Sequence, residues 1–131
     1  MFKITPVQTS ANISEIMLAC DASSKDGAFV YVMTDCESGK IMGMSQFEIK
    51  EGFGYIYDIK EAVGLDDFEA MFILTRQTMN FINLCGVDVC RADLSAGDQS
   101  LLKSAGFKEC SEYFECSMIG MFDGSHCAGH K

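Results

Sequence analysis

The chain has 131 residues, of which 48% are hydrophobic, so it is long and apolar enough to bury one core and is not expected to be disordered. Its 19 acidic and 10 basic residues give a net charge of -9, which disfavours nucleic acid and anionic membranes as partners. No apolar run approaches the roughly 18 residues of a membrane span, and no signal peptide is visible. We therefore expect a single cytoplasmic domain.

The first half of the chain predicts a strand, a helix and a meander of three strands. The segment "FKIT" alternates as a strand does, and "SANISEIMLACD" has the apolar spacing of a helix, with Ser10 as its N-cap. The segments "AFVYVMTD" and "IMGMSQFEIK" predict a hairpin around the turn "CESGK". After the turn "EGFG", "YIYDIKEAV" predicts the third strand.

The second half predicts a βαβ unit followed by a short helix and one or two strands. The long helix "DDFEAMFILTRQTMNFINLCG" begins with a capping box of Asp66 and Glu69 and ends at Gly86. The strand "VDVCRADL" follows it, so the unit should be parallel and right-handed. A short helix ending at Gly106 precedes "KECSEYFECSMIGMF". This order predicts an α/β domain over residues 1–122, with a mixed sheet and helices on both faces.

The element order, together with "LLKSAGF" after a βαβ unit, resembles the GNAT superfamily of N-acetyltransferases. In that family two neighbouring parallel strands diverge, and acyl-CoA lies between them; here they would be "YIYDIKEAV" and "VDVCRADL". The CoA pyrophosphate would lie on backbone N–H groups where the intervening helix begins. The resemblance implies an acetyl-CoA site formed by these residues: Ile59, Glu61, Val63, Gly64, Leu65, Asp66, Asp67, Phe68 and Ala70.

The expected cofactor loop departs from the family pattern, which is Gln or Arg, two residues, Gly, one residue, and then Gly or Ala. Aligned on Ala70, the pattern requires Gln or Arg at Leu65 and Gly at Phe68, so only the alanine matches. Three carboxylates in this segment stand where phosphate would bind, and carboxylates in a first helical turn also stabilise the helix. Acetyl-CoA binding and plain helix capping are therefore competing interpretations.

The second family signature is Asn, an Ala three residues later, Leu-Tyr, and finally Gly-Phe. Anchored on the "GF" at 106–107, it matches at Leu101, but Ser95 and Asp98 occupy the Asn and Ala positions. Leu102 stands where the family often has a tyrosine acid. Because a leucine cannot protonate a thiolate leaving group, this departure disfavours the family's catalysis.

Acyl transfer would also need a base that deprotonates the substrate amine, and Glu61 or Asp58 would supply it. Regular strand alternation places Tyr55, Tyr57 and Glu61 on one face and Asp58 and Lys60 on the other. The competing interpretation is an ordinary sheet surface. The sequence thus predicts either a GNAT-like N-acetyltransferase acting on an unidentified amine, or a non-catalytic GNAT-like protein that binds a ligand, a metal or a partner.

The predicted C-terminal tail, residues 123–131, contains both histidines of the chain. His126, Cys127 and His130 are candidate zinc ligands, because imidazole and thiolate groups are those that zinc prefers. The competing interpretation is an incidental terminus. The seven cysteines contain no C-x-x-C pair, so most of them are expected to be small buried hydrophobes. We expect a monomer or a homodimer.

Overall fold

The computed structural model of the chain describes residues 1–122. Within them, seven strands form one sheet and three helices cover it. The strands are β1 (Phe2–Val7), β2 (Phe29–Asp35), β3 (Ile41–Lys50), β4 (Phe53–Glu61), β5 (Val89–Asp93), β6 (Lys108–Glu109) and β7 (Tyr113–Ser117). The helices are α1 (Ser10–Ala19), α2 (Phe68–Leu84) and α3 (Gln99–Ala105).

The strands are arranged in the order β1-β2-β3-β4-β5-β7-β6. β4 and β5 are parallel, and every other neighbouring pair is antiparallel. The crossover between β4 and β5 contains α2, as the predicted βαβ unit requires. The predicted element order and the mixed sheet are therefore confirmed, and of the two alternatives for the last segment the structure has two short strands, β6 and β7.

Both predicted N-caps are wrong by one residue. Thr9 caps α1 by accepting a hydrogen bond from Asn12 N at 3.3 Å, and Asp67 caps α2 by accepting one from Ala70 N at 3.1 Å. Each helix start has two adjacent residues that can cap it, Thr9 and Ser10 or Asp66 and Asp67. The sequence alone does not decide which of the two is the N-cap. At the other end of α2, Gly86 has φ +93°, the left-handed conformation expected of a terminating glycine.

The helices cover the two faces of the sheet unequally. α1 packs on Val30, Val32 and Met44, which belong to β2 and β3. α2 and α3 pack on the opposite face, where α2 approaches β4 so closely that a Cβ at Gly54 would lie 2.5 Å from Ile82 Cγ2. On the α1 side, no helix of residues 1–122 therefore lies over β4 and β5. None of the helices in residues 1–122 is long and apolar enough to cross a membrane.

The six cysteines of the described segment differ in burial. Cys20, Cys90 and Cys116 are buried, Cys110 is intermediate, and Cys36 and Cys85 are exposed, so only half of them are buried where most were predicted to be. Burial raises the pKa of Cys20 to about 11 and also raises the pKa of Cys90. Because the thiolate is the reactive form, the buried thiols serve as core residues.

Candidate ligand-binding site

β4 contains a β-bulge in the middle of its length. Ile56 pairs with Phe47 and Asp58 pairs with Gln46, so Tyr57 is an additional residue with no partner on β3. One extra residue changes the face on which every later side chain of the strand lies. The regular alternation predicted from the sequence therefore fails from this point to the end of β4.

The predicted grouping of Tyr57 with Glu61 is wrong for this reason, whereas Asp58 and Lys60 share a face as predicted. Tyr57, Asp58 and Lys60 line the same pocket, on the face of the sheet that carries α1. Glu61 lies on the α2 face, where its Oε2 accepts a hydrogen bond from Asp67 N at 2.5 Å. The two alternative bases, Asp58 and Glu61, therefore lie on opposite faces of the sheet, as predicted.

A polar pocket of about 250 Å³ lies beside the bulge, on the α1 face of the sheet and next to the segment that follows α1. It is formed by the segment after α1, the bulge of β4 and the end of β5. Its lining residues are Asp21, Ala22, Ser23, Lys25, Tyr57, Asp58, Lys60, Asp93 and Ser95. Three carboxylates and two ammonium groups thus surround a space of small-molecule size, which we call the bulge pocket.

Gln46 joins two walls of the bulge pocket, although the sequence did not single it out. Its Oε1 accepts a hydrogen bond from Lys25 N at 2.7 Å, and its Nε2 donates to Ser23 O at 3.0 Å and to Asp58 Oδ2 at 2.8 Å. The side chain is fully buried, so the loss of any of these bonds is costly. Gln46 therefore holds the segment after α1 against β4 and orients Asp58.

Asp58 is the carboxylate of the bulge pocket whose surroundings change its chemistry. Partial burial raises the pKa of Asp58 above its ordinary value, and the charge of Asp93 acts in the same direction. The hydrogen bond from Gln46 and the charges of the two lysines act in the opposite direction. A carboxylate in such surroundings can accept a hydrogen bond, or a proton, from an amino group.

Tyr57 contributes its ring and not its hydroxyl to the bulge pocket. The hydroxyl donates a hydrogen bond to Glu48 Oε1 at 2.6 Å, and burial together with this bond raises the pKa of Tyr57 to about 12. The ammonium group of Lys25 lies 5.2 Å from the centre of the ring, at the distance of a cation–π interaction. The ring therefore forms a wall of the pocket and helps to hold Lys25 beside it.

We expect Asp58→Asn to stabilise the protein at neutral pH by about 0.5 kcal/mol, a small effect because solvent partly screens this carboxylate. When a carboxyl group has a higher pKa in the folded chain than in the unfolded chain, the protein loses stability as the pH rises between those two pKa values. The gain of the variant should therefore fade when urea unfolding is repeated at acidic pH. Asp21→Asn, an exposed carboxylate of the same pocket, is the control; an Asp58→Asn variant less stable at neutral pH would contradict the prediction.

The start of α2, predicted as the pyrophosphate site, already uses two of its N–H groups. Asp67 N donates to Glu61 Oε2, and Ala70 N donates to Asp67 Oδ1. Phe68, at the family's glycine position, is 47% exposed and adds a bulky side chain where a phosphate would approach. A phosphate at this position would compete with two carboxylates for the same donors and would be repelled by their charge.

The gap between β4 and β5, predicted to hold acyl-CoA, is closed at Ile59 by the chain itself. The two strands pair only from Gly54 to Ile56 on β4, and the segment after β5 then returns to β4. Ile59 N donates to Ala96 O at 2.7 Å, and a Cβ at Gly97 would lie 2.7 Å from Ile59 O. Ala96 is fully buried. The N–H and the C=O of Ile59 are therefore both in contact with the segment after β5, at Ala96 and Gly97.

The loop between β4 and α2 faces away from β5. Val63, Gly64 and Leu65 line a shallow pocket of about 430 Å³ whose other residues come from β2, β3 and the turn between them. These predicted cofactor residues are thus brought together, but not beside the β4–β5 gap. With the helix start and Ile59 also occupied, the residues present do not fit CoA in the way that the resemblance implies.

The predicted zinc ligands His126, Cys127 and His130 lie outside the described residues. Between residues 1 and 122, no group of three or more His, Cys, Asp or Glu side chains is arranged to hold a metal ion. The zinc prediction therefore stays a prediction for residues 123–131.

No protein-family model matches the sequence, and the comparison with curated proteins found no match. Solved structures do match. An IAA acetyltransferase from Bacillus cereus has a TM-score of 0.69 at 19% identity, over 85% of this chain and 79% of that one. The ribosomal-protein-S18-alanine N-acetyltransferase from Escherichia coli has a TM-score of 0.71 at 12% identity, over 89% of this chain and 94% of that one.

A GNAT family acetyltransferase from Elizabethkingia anophelis, with acetyl-CoA bound, has a TM-score of 0.73 at 12% identity, over 88% of this chain and 97% of that one. These likenesses show that the chain has the GNAT fold, as its element order predicts. At such low identity they establish the fold and leave the activity to be argued from the site.

Proposed function

We propose that the bulge pocket binds a small molecule that carries an amino group, and that the protein does so without CoA between β4 and β5. The observation that carries this proposal is the Asp58 carboxylate, which Gln46 orients by a hydrogen bond of 2.8 Å. A buried amide that fixes both a carboxylate and a facing loop is a preformed arrangement, and preformed polar groups give a small-molecule site its specificity.

The first half of the proposal is supported by the chemistry of the lining. A protonated amine donates up to three hydrogen bonds and is attracted by carboxylates, and Asp58 and Asp93 both border the pocket. Ser23 and Ser95 add neutral hydroxyl groups beside them. The bound amine would donate to the Asp58 carboxylate, whose second oxygen is already held by Gln46.

The second half of the proposal is supported by the occupied backbone donors. Binding of CoA in the family's manner would require the hydrogen bond between Ile59 N and Ala96 O to break. It would also require Asp67 to release Ala70 N, and a phosphate to approach several carboxylates. One like-charge pair at 5 Å costs roughly 3 kcal/mol at an effective dielectric of about 20.

A second candidate function is acyl-CoA-dependent N-acyl transfer to the same amine. It is favoured by the position of Asp58, which could take the proton of the amine, and by the likeness to a structure that contains acetyl-CoA. In this case the segment after β5 would have to move away from Ile59 before the cofactor binds. The substrate would be the same amine in both functions.

Calorimetric titration with acetyl-CoA and with free CoA at low salt separates the two functions. We expect no measurable heat and no thermal stabilisation at millimolar CoA, because Asp67 N, Ala70 N and Ile59 N are already bonded and the carboxylates at the helix start repel phosphate. The acetyl-CoA-bound Elizabethkingia anophelis relative serves as a positive control under the same conditions. Micromolar binding of acetyl-CoA to this chain would contradict the first function, and N-acetylation of amines should then be measured.

A further inference from the structure

We infer that the ligand of the bulge pocket is a zwitterion, a small molecule with a carboxylate as well as an amino group. This inference rests on the proposed function and adds the substrate class. It is carried by two lysines that border the pocket, Lys25 and Lys60. The class includes free amino acids and molecules of the same size and charge pattern.

Neither lysine is neutralised by a neighbouring carboxylate. The ion pairs found within residues 1–122 are Lys50–Glu48, Arg91–Glu115 and Lys103–Glu109. Lys25 and Lys60 therefore have no ion-pair partner there, although both lie close enough to Asp58 for their charges to lower its pKa. Lys25 is instead held near the ring of Tyr57, beside the pocket. Two ammonium groups are thus available to a ligand.

Opposite charges in one small pocket disfavour ligands with a single kind of charge. An amine without a carboxylate would be attracted by the aspartates but repelled by the two lysines. A carboxylate without an amine would be repelled by three aspartates. A zwitterion places its ammonium group near the aspartates and its carboxylate near the lysines, so each of its charges meets an opposite charge.

The depth of the charged groups predicts the orientation of the ligand. Asp58 is partly buried and held by Gln46, whereas Lys25 is exposed on the segment after α1. The amino group should therefore lie deeper, against Asp58, and the carboxylate should lie nearer the opening, against the lysines. The volume of about 250 Å³ is below the 300–1,000 Å³ range of pockets for drug-sized ligands and suits a single amino acid.

The test is a calorimetric screen of the protein L-amino acids, each compared with its methyl ester, which keeps the amine and removes the carboxylate charge. We expect at least one amino acid to bind, and its ester to bind about tenfold or more weakly. If esters bind as tightly as the amino acids, the zwitterion is wrong and the amine-binding function stands. If neither series binds, the proposed function itself fails.

Lysine variants locate the carboxylate within the pocket. Lys60→Met and Lys25→Met remove the ammonium group and keep most of the apolar stem, so both should weaken amino-acid binding and strengthen ester binding, from which one repulsive charge is removed. Lys50→Met is the matched control, because Lys50 lies outside the pocket and pairs with Glu48. If both pocket variants keep the wild-type ratio of amino-acid to ester affinity, the inference is overturned.

Discussion

Gln46→Glu is expected to destabilise the protein by about 3 kcal/mol at neutral pH, because it introduces a second carboxylate into a buried hydrogen-bond network. The substitution keeps the shape of the side chain but removes the NH₂ group that donates to Ser23 O and Asp58 Oδ2. Oxygen atoms that all accept hydrogen bonds would then face one another without a donor between them. The measurement is urea unfolding at neutral pH, with the variant compared with the wild type.

The pH dependence of this loss distinguishes charge repulsion from poor packing. Two carboxylates at hydrogen-bond distance raise each other's pKa in the folded chain, as happens in carboxylate dyads. The lost stability should therefore return as the pH falls through the raised pKa values, since the folded chain then binds the additional proton. A loss that is constant from neutral to acidic pH would show that repulsion with Asp58 is not its cause.

The double variant Gln46→Glu with Asp58→Asn is the matched control. The asparagine amide offers a donor to the new carboxylate, so the network is restored with its donor and acceptor exchanged. We expect the double variant to regain most of the lost stability, a coupling of at least about 1 kcal/mol in the double-mutant cycle. Additive effects of the two substitutions would contradict the contact between Gln46 and Asp58.

Gly97→Ala is expected to destabilise the protein by about 2 kcal/mol, the usual cost of overpacking a close contact. The added Cβ would lie 2.7 Å from the backbone oxygen of Ile59, which cannot move without distorting β4. The segment after β5 should therefore withdraw and break the hydrogen bond between Ile59 N and Ala96 O. Urea unfolding measures the cost, and amide hydrogen exchange at Ile59 measures the broken bond.

Gly39→Ala is the control for this second prediction. Gly39 has φ +74° and no heavy atom within 4 Å of an added Cβ, so its cost comes from the backbone alone, about 1 kcal/mol. It should leave exchange at Ile59 unchanged, because it lies in the turn between β2 and β3. If Gly97→Ala keeps both the stability and the slow Ile59 exchange of the wild type, the closed gap between β4 and β5 is not maintained by this contact.

The order of strands and helices followed from the sequence because the pattern that encodes each element is local. The alternation in "AFVYVMTD" and the helical spacing of "DDFEAMFILTRQTMNFINLCG" do not depend on distant residues. The terminating glycines, Gly86 and Gly106, were equally readable, because only the left-handed backbone that they adopt ends a helix in this way. The N-caps were less certain, since Asp66 and Asp67 offer the same carboxylate one residue apart.

The sequence predicts only part of the candidate site. Strand alternation places Asp58 beside Lys60 correctly, but it puts Tyr57 on the wrong face, because the bulge at Tyr57 arises from pairing with β3. Gln46 is the one amide in the strand "IMGMSQFEIK", a weak signal that could have marked it. Its partners on the segment after α1 lie more than 20 residues away in sequence, so no local pattern connects them.

The sequence by itself determined the order of the elements, the acidic start of α2 and the residues Leu65, Phe68 and Leu102, since these depend on residue identity and local periodicity. The GNAT fold was implied by the resemblance of that order to the family. Only the tertiary structure decided which side chains share a pocket and that the gap beside Ile59 is closed. The composition of the pocket depends on the register between β3 and β4, and the closed gap depends on the contact between Ile59 and the segment after β5. These are contacts between residues distant in the chain, and their geometry is fixed when the strands pair and α2 packs upon them.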